Sequence, residues 1–106
     1  MTNIRLARKE DLNELAKIYK DLYGESILNE DWSIEKSYGL LNFFYTLQSD
    51  IFVVAEVDET VVGAVMSIVK PWHDGNRLTE TEIFVANNYQ KQGIASRLFQ
   101  TSNGKI

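Results

Sequence analysis

One stretch near the carboxyl-terminal end decides the fold of this 106-residue chain: residues 83–98, with the sequence IFVANNYQKQGIASRL. Its apolar, β-prone start, Ile83 to Val85, predicts the end of a strand. A polar turn follows, and a helix is expected to begin near Gly93. The first amides of a helix lack partners within it, and the helix dipole makes that end positive. The order strand, turn, helix therefore predicts a site for an anion such as a phosphate.

The side chains of the turn fit the same interpretation. Gly93 and Ala95 are small enough to let an anion approach the backbone, while Gln90 and Lys91 offer a hydrogen-bond donor and a cation. The residues alone also allow a plainer role, in which Gly93 serves only the turn and Ala95 serves only the packing of the helix. Both interpretations stay open at this point.

The strands are predicted from apolar and β-branched runs bounded by polar residues. Four such runs occur, at residues 3–7, 51–57, 60–69 and 79–85. The second run is too continuously apolar for a one-sided strand, so it is expected to be covered on both faces. Asp58 and Glu59 would join it to the third run as an antiparallel hairpin. Residues 71–77 are expected to form a polar loop.

The helices are predicted from apolar residues at three- and four-residue spacing. One stripe runs from Leu12 to Tyr23, and Gly24 would end that helix. A second helix would follow Ser33, whose hydroxyl would cap it, and Gly39 would weaken its middle. Together with the strands, the predicted order is β-α-α-β-β-β-α, which is an α/β class with a mixed sheet.

Composition narrows the function classes. The chain has 11 Lys and Arg against 15 Asp and Glu, a net charge of −4, one His and no Cys. An acidic chain is poorly suited to nonspecific binding of nucleic acid, and the lack of Cys excludes thiolate metal sites and cysteine nucleophiles. We predict no metal site, no membrane span and no secretory signal, and therefore a cytoplasmic protein. Residues 1–106 are expected to form one domain.

The motif Gln90-x-x-Gly93-x-Ala95 resembles the Gln/Arg-x-x-Gly-x-Gly/Ala motif of the GNAT family of N-acetyltransferases. The surrounding elements resemble the family as well. Residues 4–12 are similar to its opening strand and helix, and residues 52–63 are similar to its second and third strands. The resemblance covers nearly the whole chain. It implies a GNAT-like acyl-CoA N-acyltransferase fold and the cofactor acetyl-CoA, bound where the fourth and fifth strands splay apart.

The resemblance also implies the cofactor contacts. Ile83-x-Val85 looks like the family's fourth strand, so backbone groups of these two residues would pair with the pantetheine arm, and the Ile83 N–H would donate to the thioester carbonyl. Backbone amides from Gln92 to Ala95 would hold the pyrophosphate. The full set of expected cofactor contacts is Ile83, Phe84, Val85, Gln90, Lys91, Gln92, Gly93, Ile94, Ala95 and Ser96.

The general base does not carry over directly. In many relatives it lies two or four residues before the position of Ile83, where this chain has Thr81 and Thr79. The nearest carboxylates are Glu82 and Glu80, which strand alternation would turn to the opposite face. We take these two as the candidate catalytic residues, since a β-bulge could re-aim one of them. The alternatives are that both are solvated or paired strand charges, or that a base acts through water.

The acceptor implied by the resemblance is a primary amine on a small molecule or a peptide. In relatives the loop that corresponds to Tyr23 to Trp32 borders the acceptor site. In this chain Glu25, Glu30 and Asp31, with the polar Asn29 beside them, make that loop acidic, which would favour a cationic amine. A solvated run of charges is the alternative.

The family normally continues past the motif helix with a fifth strand, a fourth helix and usually two more strands. Residues 1–106 are therefore expected to be a partial domain that lacks these elements. The strand that contains Ile83 would then be an exposed edge, and we predict that a second copy, in a homo-oligomer such as a dimer, or the C-terminal tail covers it. The alternative function is a non-catalytic module that binds CoA or a partner through this strand.

Overall fold

The computed structural model describes residues 1–24 and 30–106. The described strands are β1 Thr2–Leu6, β2 Val53–Val57, β3 Thr60–Trp72 and β4 Gly75–Val85. They pair antiparallel in the order β1-β2-β3-β4. The described helices are α1 Leu12–Tyr23, α2 Ile34–Gln48 and α3 Ile94–Asn103. The predicted order β-α-α-β-β-β-α and the α/β class are confirmed, but the described sheet is antiparallel throughout and not mixed.

Helices cover both faces of the sheet, which explains the continuous apolar run in β2. Val54 faces a core cluster shared with α1 and α2, whereas Val53 and Ala55 face a second cluster shared with α3. All three side chains are completely buried. Burying a valine contributes roughly 1.5–3 kcal/mol relative to leaving it exposed, so two covered faces favour apolar residues at consecutive positions of this strand. The predicted two-sided covering is confirmed.

The start of α2 has the predicted cap. The Ser33 hydroxyl oxygen accepts a hydrogen bond from the Lys36 N–H at 3.0 Å. This bond satisfies one of the amides that the first turn of a helix leaves without a partner. None of the helices in residues 1–24 and 30–106 is long and apolar enough to cross a membrane.

The hairpin between β3 and β4 is longer than predicted. The sequence predicts a polar loop at residues 71–77, but β3 continues to Trp72 and β4 begins at Gly75, which leaves a two-residue turn. The polar residues of this segment resemble a loop in the sequence because this part of the hairpin is exposed. Its backbone groups are satisfied by cross-strand hydrogen bonds, while its side chains stay in water. Lys70 and Arg77 also pack over the Trp72 ring, at 4.7 and 5.2 Å from its centroid. The predicted loop is therefore wrong.

Two glycines of the α1–α2 region differ in the space around them. Gly24 follows α1, and its N–H donates to the Lys20 carbonyl at 2.7 Å, as predicted for a helix end. A β-carbon at Gly24 would lie 2.5 Å from that carbonyl oxygen and 2.9 Å from the carbonyl oxygen of Trp32. At Gly39, within α2, no described atom outside its chain neighbours and the nearby backbone of α2 lies within 4 Å of such a β-carbon. A side chain therefore does not fit at position 24 without movement of the backbone, whereas one fits at position 39.

We expect alanine to have opposite effects at these two glycines. Gly24→Ala must displace backbone atoms and should lower the free energy of unfolding by about 1–3 kcal/mol. Gly39→Ala removes the entropic cost of glycine in a helix and should raise the free energy of unfolding by about 1 kcal/mol. Denaturant unfolding of both variants beside the parent protein measures the two changes. A change of the same sign at both positions would contradict the spatial argument.

Candidate active site

The turn between β4 and α3 brings the chain to an open helix start. Gly93 precedes α3 with φ +80°, and Lys91 has φ +64°, so two residues of the turn adopt the left-handed conformation. Apart from residues 92–94 themselves, no described atom lies within 4 Å of the position that a Gly93 β-carbon would take. Glycine is therefore favoured at position 93 by its backbone angle and not by crowding from the protein.

The first amides of α3 are left without helical partners. The first bond within the helix runs from the Arg97 N–H to the Gly93 carbonyl at 3.2 Å, so the N–H groups of Ile94, Ala95 and Ser96 precede it. Gly93 cannot cap them, and among the described residues no other side chain does so. The dipole of the ten-residue helix adds a positive potential at this end. The geometry suits an anion bound by backbone groups.

A cavity of about 610 Å³ opens beside these amides. Its volume lies in the range of about 300–1,000 Å³ that is usual for small-molecule sites. Nine of the ten expected cofactor residues line it. The exception is Gln92, whose exposed side chain lies 3.5 Å from the Asn88 carbonyl oxygen. Lys91 is the one charged residue among those that line the cavity in the described part of the chain.

The backbone of β4 meets the cavity as an open edge. The Ala86 N–H donates to the Val62 carbonyl at 2.8 Å, which fixes the hydrogen-bonding register of β3 and β4. Because inward and outward groups alternate along an antiparallel strand, the N–H and C=O of Ile83 and Val85 point away from β3. Both residues line the cavity, and β4 is the last strand of the described sheet.

The Gln90 side chain is used within the turn. Its Nε2 donates to the Val85 carbonyl at 2.9 Å and lies 3.4 Å from the Asn87 side-chain oxygen. The sequence interpretation offers Gln90 as a donor to a bound anion, but in the structure this donor ties the start of the turn to the end of β4. The Gln90 side chain thus contributes to the shape of the turn and uses one of the two lone pairs of the Val85 carbonyl.

Glu82 lies on the face of β4 that meets α1. Its Oε1 accepts a hydrogen bond from the Tyr19 hydroxyl at 2.8 Å. Burial, followed by this hydrogen bond, raises the pKa of the Tyr19 phenol well above its usual value. Tyr23, one helical turn later, also has a raised pKa, because it is partly buried and because Glu82 is negatively charged. Tyr23 lines the cavity, whereas Glu82 and Tyr19 do not.

A β-bulge in β4 separates the two candidate bases. The register of β3 and β4 shifts between Met66 and Ile68, so that Glu80 and Thr81 together oppose a single residue of β3. Glu80 has φ +53°, is exposed, and makes no side-chain hydrogen bond with any described residue. The bulge considered from the sequence is present, but it does not bring Glu80 to the cavity. Glu82 keeps the face that strand alternation gives it.

The predicted acceptor loop is described only in part. Residues 25–29, and with them Glu25, lie outside the described residues. Tyr23 lines the cavity. The Trp32 Nε1 donates to the Glu30 Oε1 at 2.8 Å.

Sequence patterns did not identify every residue around the site. Leu22, Asn87 and Tyr89 line the cavity, and Tyr19 contacts Glu82, although none was predicted as a site residue. The four-residue spacing of Tyr19 and Tyr23 was a usable signal, because it places both rings on one side of α1. The same spacing is equally typical of a core stripe, so the contact across 63 residues could not be predicted from it.

Comparison with known proteins agrees with this geometry. A model of the acetyltransferase (GNAT) family matches residues 12–102. Among solved structures, the chain is similar to a protein from Pyrococcus horikoshii OT3, with a TM-score of 0.74 and 24% identity, covering 96% of this chain and 69% of that one. It is also similar to an N-acetyltransferase from Staphylococcus aureus Mu50, with a TM-score of 0.65 and 28% identity, covering 94% and 62%.

A third similar structure, yncA from Salmonella typhimurium, was solved with its cofactor acetyl-CoA. Its TM-score is 0.68 at 18% identity, covering 99% of this chain and 62% of that one. No curated protein matches the chain. The chain thus spans 62–69% of the length of these three structures. With the family model matched over residues 12–102 and the fold shared with these structures, the chain belongs to the acetyltransferase (GNAT) family.

Proposed function

We propose that this protein is an N-acetyltransferase that transfers the acetyl group of acetyl-CoA to a primary amine of a small molecule or a peptide. The observation that carries the proposal is the cavity of about 610 Å³ that joins the open edge of β4 to the first amides of α3. Membership of the family supports acetyl transfer in general. The similar Salmonella structure contains acetyl-CoA, which supports the choice of cofactor.

The residues present fit two chemically different parts of the cofactor. The pyrophosphate is a compact anion and would accept hydrogen bonds from the first three amides of α3, with Lys91 as the nearby cation. The pantetheine arm carries amides and would pair with outward backbone groups of β4 as an added strand does. Because the Gln90 side chain already uses one lone pair of the Val85 carbonyl, we assign this pairing to the Val85 N–H and to the backbone of Ile83.

Bound acetyl-CoA would supply a thioester carbonyl that an amine can attack. The protein's part is to hold the amine nitrogen near that carbon, to remove a proton from it and to stabilise the charge that develops on the oxygen. The outward N–H of Ile83 would donate to that oxygen. Glu82 would accept the amine proton, directly or through one water molecule. As the C–N bond forms, the C–S bond breaks, and the leaving thiolate takes a proton from solvent.

The charges near α1 favour a cationic acceptor in this proposal. Primary amines are mostly protonated at neutral pH. Glu82 does not line the cavity, but it is hydrogen-bonded to Tyr19, which lies one helical turn before the lining residue Tyr23. Glu30, hydrogen-bonded to Trp32, is close enough to contribute a smaller share to the raised pKa of Tyr19. We infer that these two carboxylates would favour the approach of an ammonium group from the α1 side of β4.

The edge of β4 is also the predicted surface for a homo-oligomer. A second copy that paired with Ile83 and Val85 would use the same backbone groups as the pantetheine arm, so these two uses of the edge exclude each other at that position. A copy that paired nearer to Gly75 would leave the cofactor groups accessible. Both the homo-oligomer and the cytoplasmic location stay predictions.

The proposed function is tested in two steps. Acetyl-CoA should raise the midpoint of thermal unfolding, because a ligand that binds only the native state stabilises it. Release of the CoA thiol is then followed with a panel of amines that includes lysine peptides, polyamines, aminoglycosides and amino acids. An unchanged midpoint would contradict cofactor binding. A raised midpoint without thiol release from any amine would favour the non-catalytic CoA-binding module.

Lys91 offers a separate test of the anion site. We choose Lys91→Asn because asparagine tolerates the φ of +64° while it removes the charge. We expect acetyl-CoA to bind about fivefold more weakly, as for the loss of one partly solvated ion pair, and its affinity to depend less on salt. Calorimetric titration at low and high salt measures both quantities. Lys105→Asn is the matched control, since Lys105 follows the far end of α3, and an equal loss there would contradict the assignment.

A further inference from the structure

The contact between Tyr19 and Glu82 joins α1 to β4 through one hydrogen bond. The hydroxyl of Tyr19 donates to Glu82 Oε1 at 2.8 Å, and the two residues are 63 positions apart in the chain. Tyr19 is 4% exposed. Its ring lies edge-on to Phe84 at 5.3 Å and to Trp32 at 5.1 Å between centroids, and it is tilted against Tyr23 at 4.6 Å. The ring is therefore held from three directions.

A ring held in this way fixes the direction of its hydroxyl. A phenol has one proton to donate, and here that proton is directed to one oxygen of Glu82. No described residue donates a hydrogen bond to the other oxygen, Glu82 Oε2. Phe84, two residues after Glu82 on the same face of β4, packs on the ring that carries the donor, so strand and donor are kept together.

We propose that Tyr19 is a positioning residue, which holds the Glu82 carboxylate by one oxygen so that the other oxygen faces the acceptor amine. This inference rests on the proposed function, in which Glu82 accepts the amine proton. A carboxylate on a strand can rotate about its side-chain bonds, and a fixed donor restricts that rotation before the acceptor binds. Tyr19 itself keeps its proton at physiological pH, because burial and the groups that face it, Glu82 first and then Tyr23 and Glu30, raise its pKa.

The hydrogen bond can be measured without any enzymatic activity. The ultraviolet absorbance of tyrosinate is followed against pH in the parent protein, and the difference from Tyr19→Phe identifies the signal of Tyr19. We expect Glu82→Gln to move that signal to lower pH, because the negative charge that opposes ionisation is lost. Tyr45→Phe, which removes another hydroxyl from a partly buried ring, identifies the background. An unchanged Tyr19 signal in Glu82→Gln, at pH values where circular dichroism shows that both proteins are still folded, would overturn the proposed contact.

The positioning role is measured by kinetics with a responsive amine. We expect Tyr19→Phe to lower kcat about tenfold, as for a misplaced catalytic group, with the KM for acetyl-CoA unchanged. Tyr45→Phe should keep the parent kcat, and thermal midpoints in the presence of acetyl-CoA show that each variant folds and binds the cofactor. The double variant that combines Tyr19→Phe with Glu82→Gln should have the same kcat as Glu82→Gln alone, because both changes act through the Glu82 carboxylate.

These outcomes separate the inference from the proposed function. Two results would overturn the positioning role without contradicting the proposed acetyltransferase activity. One is a kcat of Tyr19→Phe equal to that of the parent. The other is a double variant in which kcat falls by the product of the two single losses. A parent protein that binds acetyl-CoA but acetylates no amine would overturn the proposed function, and the positioning role with it, while the tyrosine titration would still show whether the contact exists.

Discussion

Gly93→Glu is expected to abolish the binding of acetyl-CoA and to leave the protein folded. The carboxylate would arise at the position before α3, next to the three amides that we assign to the pyrophosphate. There it would repel the phosphates, and it could itself accept hydrogen bonds from those amides. We expect at least about a 100-fold loss of affinity, equivalent to about 2.7 kcal/mol. Calorimetric titration with acetyl-CoA measures the loss.

The folded state should survive this substitution. Apart from residues 92–94 themselves, a β-carbon at Gly93 meets no described atom within 4 Å, so the cost is mainly that of a left-handed angle in a residue with a side chain, about 1–2 kcal/mol. Gly93→Ala carries the same angular cost without the charge and is the matched control. We expect Gly93→Ala to bind acetyl-CoA much more tightly than Gly93→Glu does. Equal affinities in the two variants would mean that the amides of α3 do not hold an anion.

The sequence predicted this part of the molecule well because its signals are local. The end of β4, the turn and the start of α3 lie within residues 83–96, so one strand pattern, one glycine and one helix pattern are enough to place them. Nine of the ten residues expected at the cofactor do line one cavity. The detail that local patterns could not give is the use of the Gln90 side chain, because a glutamine in a turn can equally well face a ligand or its own backbone.

The other half of the candidate site depends on contacts between distant segments. The register shift in β4 follows from pairing with β3, and the direction of Glu82 follows from packing against α1. In the sequence, Tyr19 is one apolar position in the stripe of α1, and only the folded structure shows that it packs against β4. The β3–β4 hairpin shows the same limit, since its exposed polar residues look like a loop and only cross-strand pairing makes them a strand.

Glu82→Gln is expected to cause the largest loss of activity. If Glu82 accepts the amine proton, its removal should lower kcat by about 10²–10⁴-fold, the usual contribution of a general base. The amide has nearly the same shape and its oxygen can still accept from the Tyr19 hydroxyl, so the fold and the affinity for acetyl-CoA should be retained. Thiol release at saturating acetyl-CoA, with an amine found to be a substrate, measures the change.

Glu80→Gln is the matched control, because Glu80 is exposed at the bulge and lies on the same strand. Glu80→Gln should keep the parent kcat.

The loss of kcat in Glu82→Gln should shrink as the pH approaches the pKa of the acceptor amine, about 10 for a lysine side chain, because the amine then loses its proton to solvent before it binds. A defect that stays constant with pH would argue for a structural role of Glu82. A large loss in Glu80→Gln alone would move the base to the bulge and contradict the geometry described for the α1 side of the cavity.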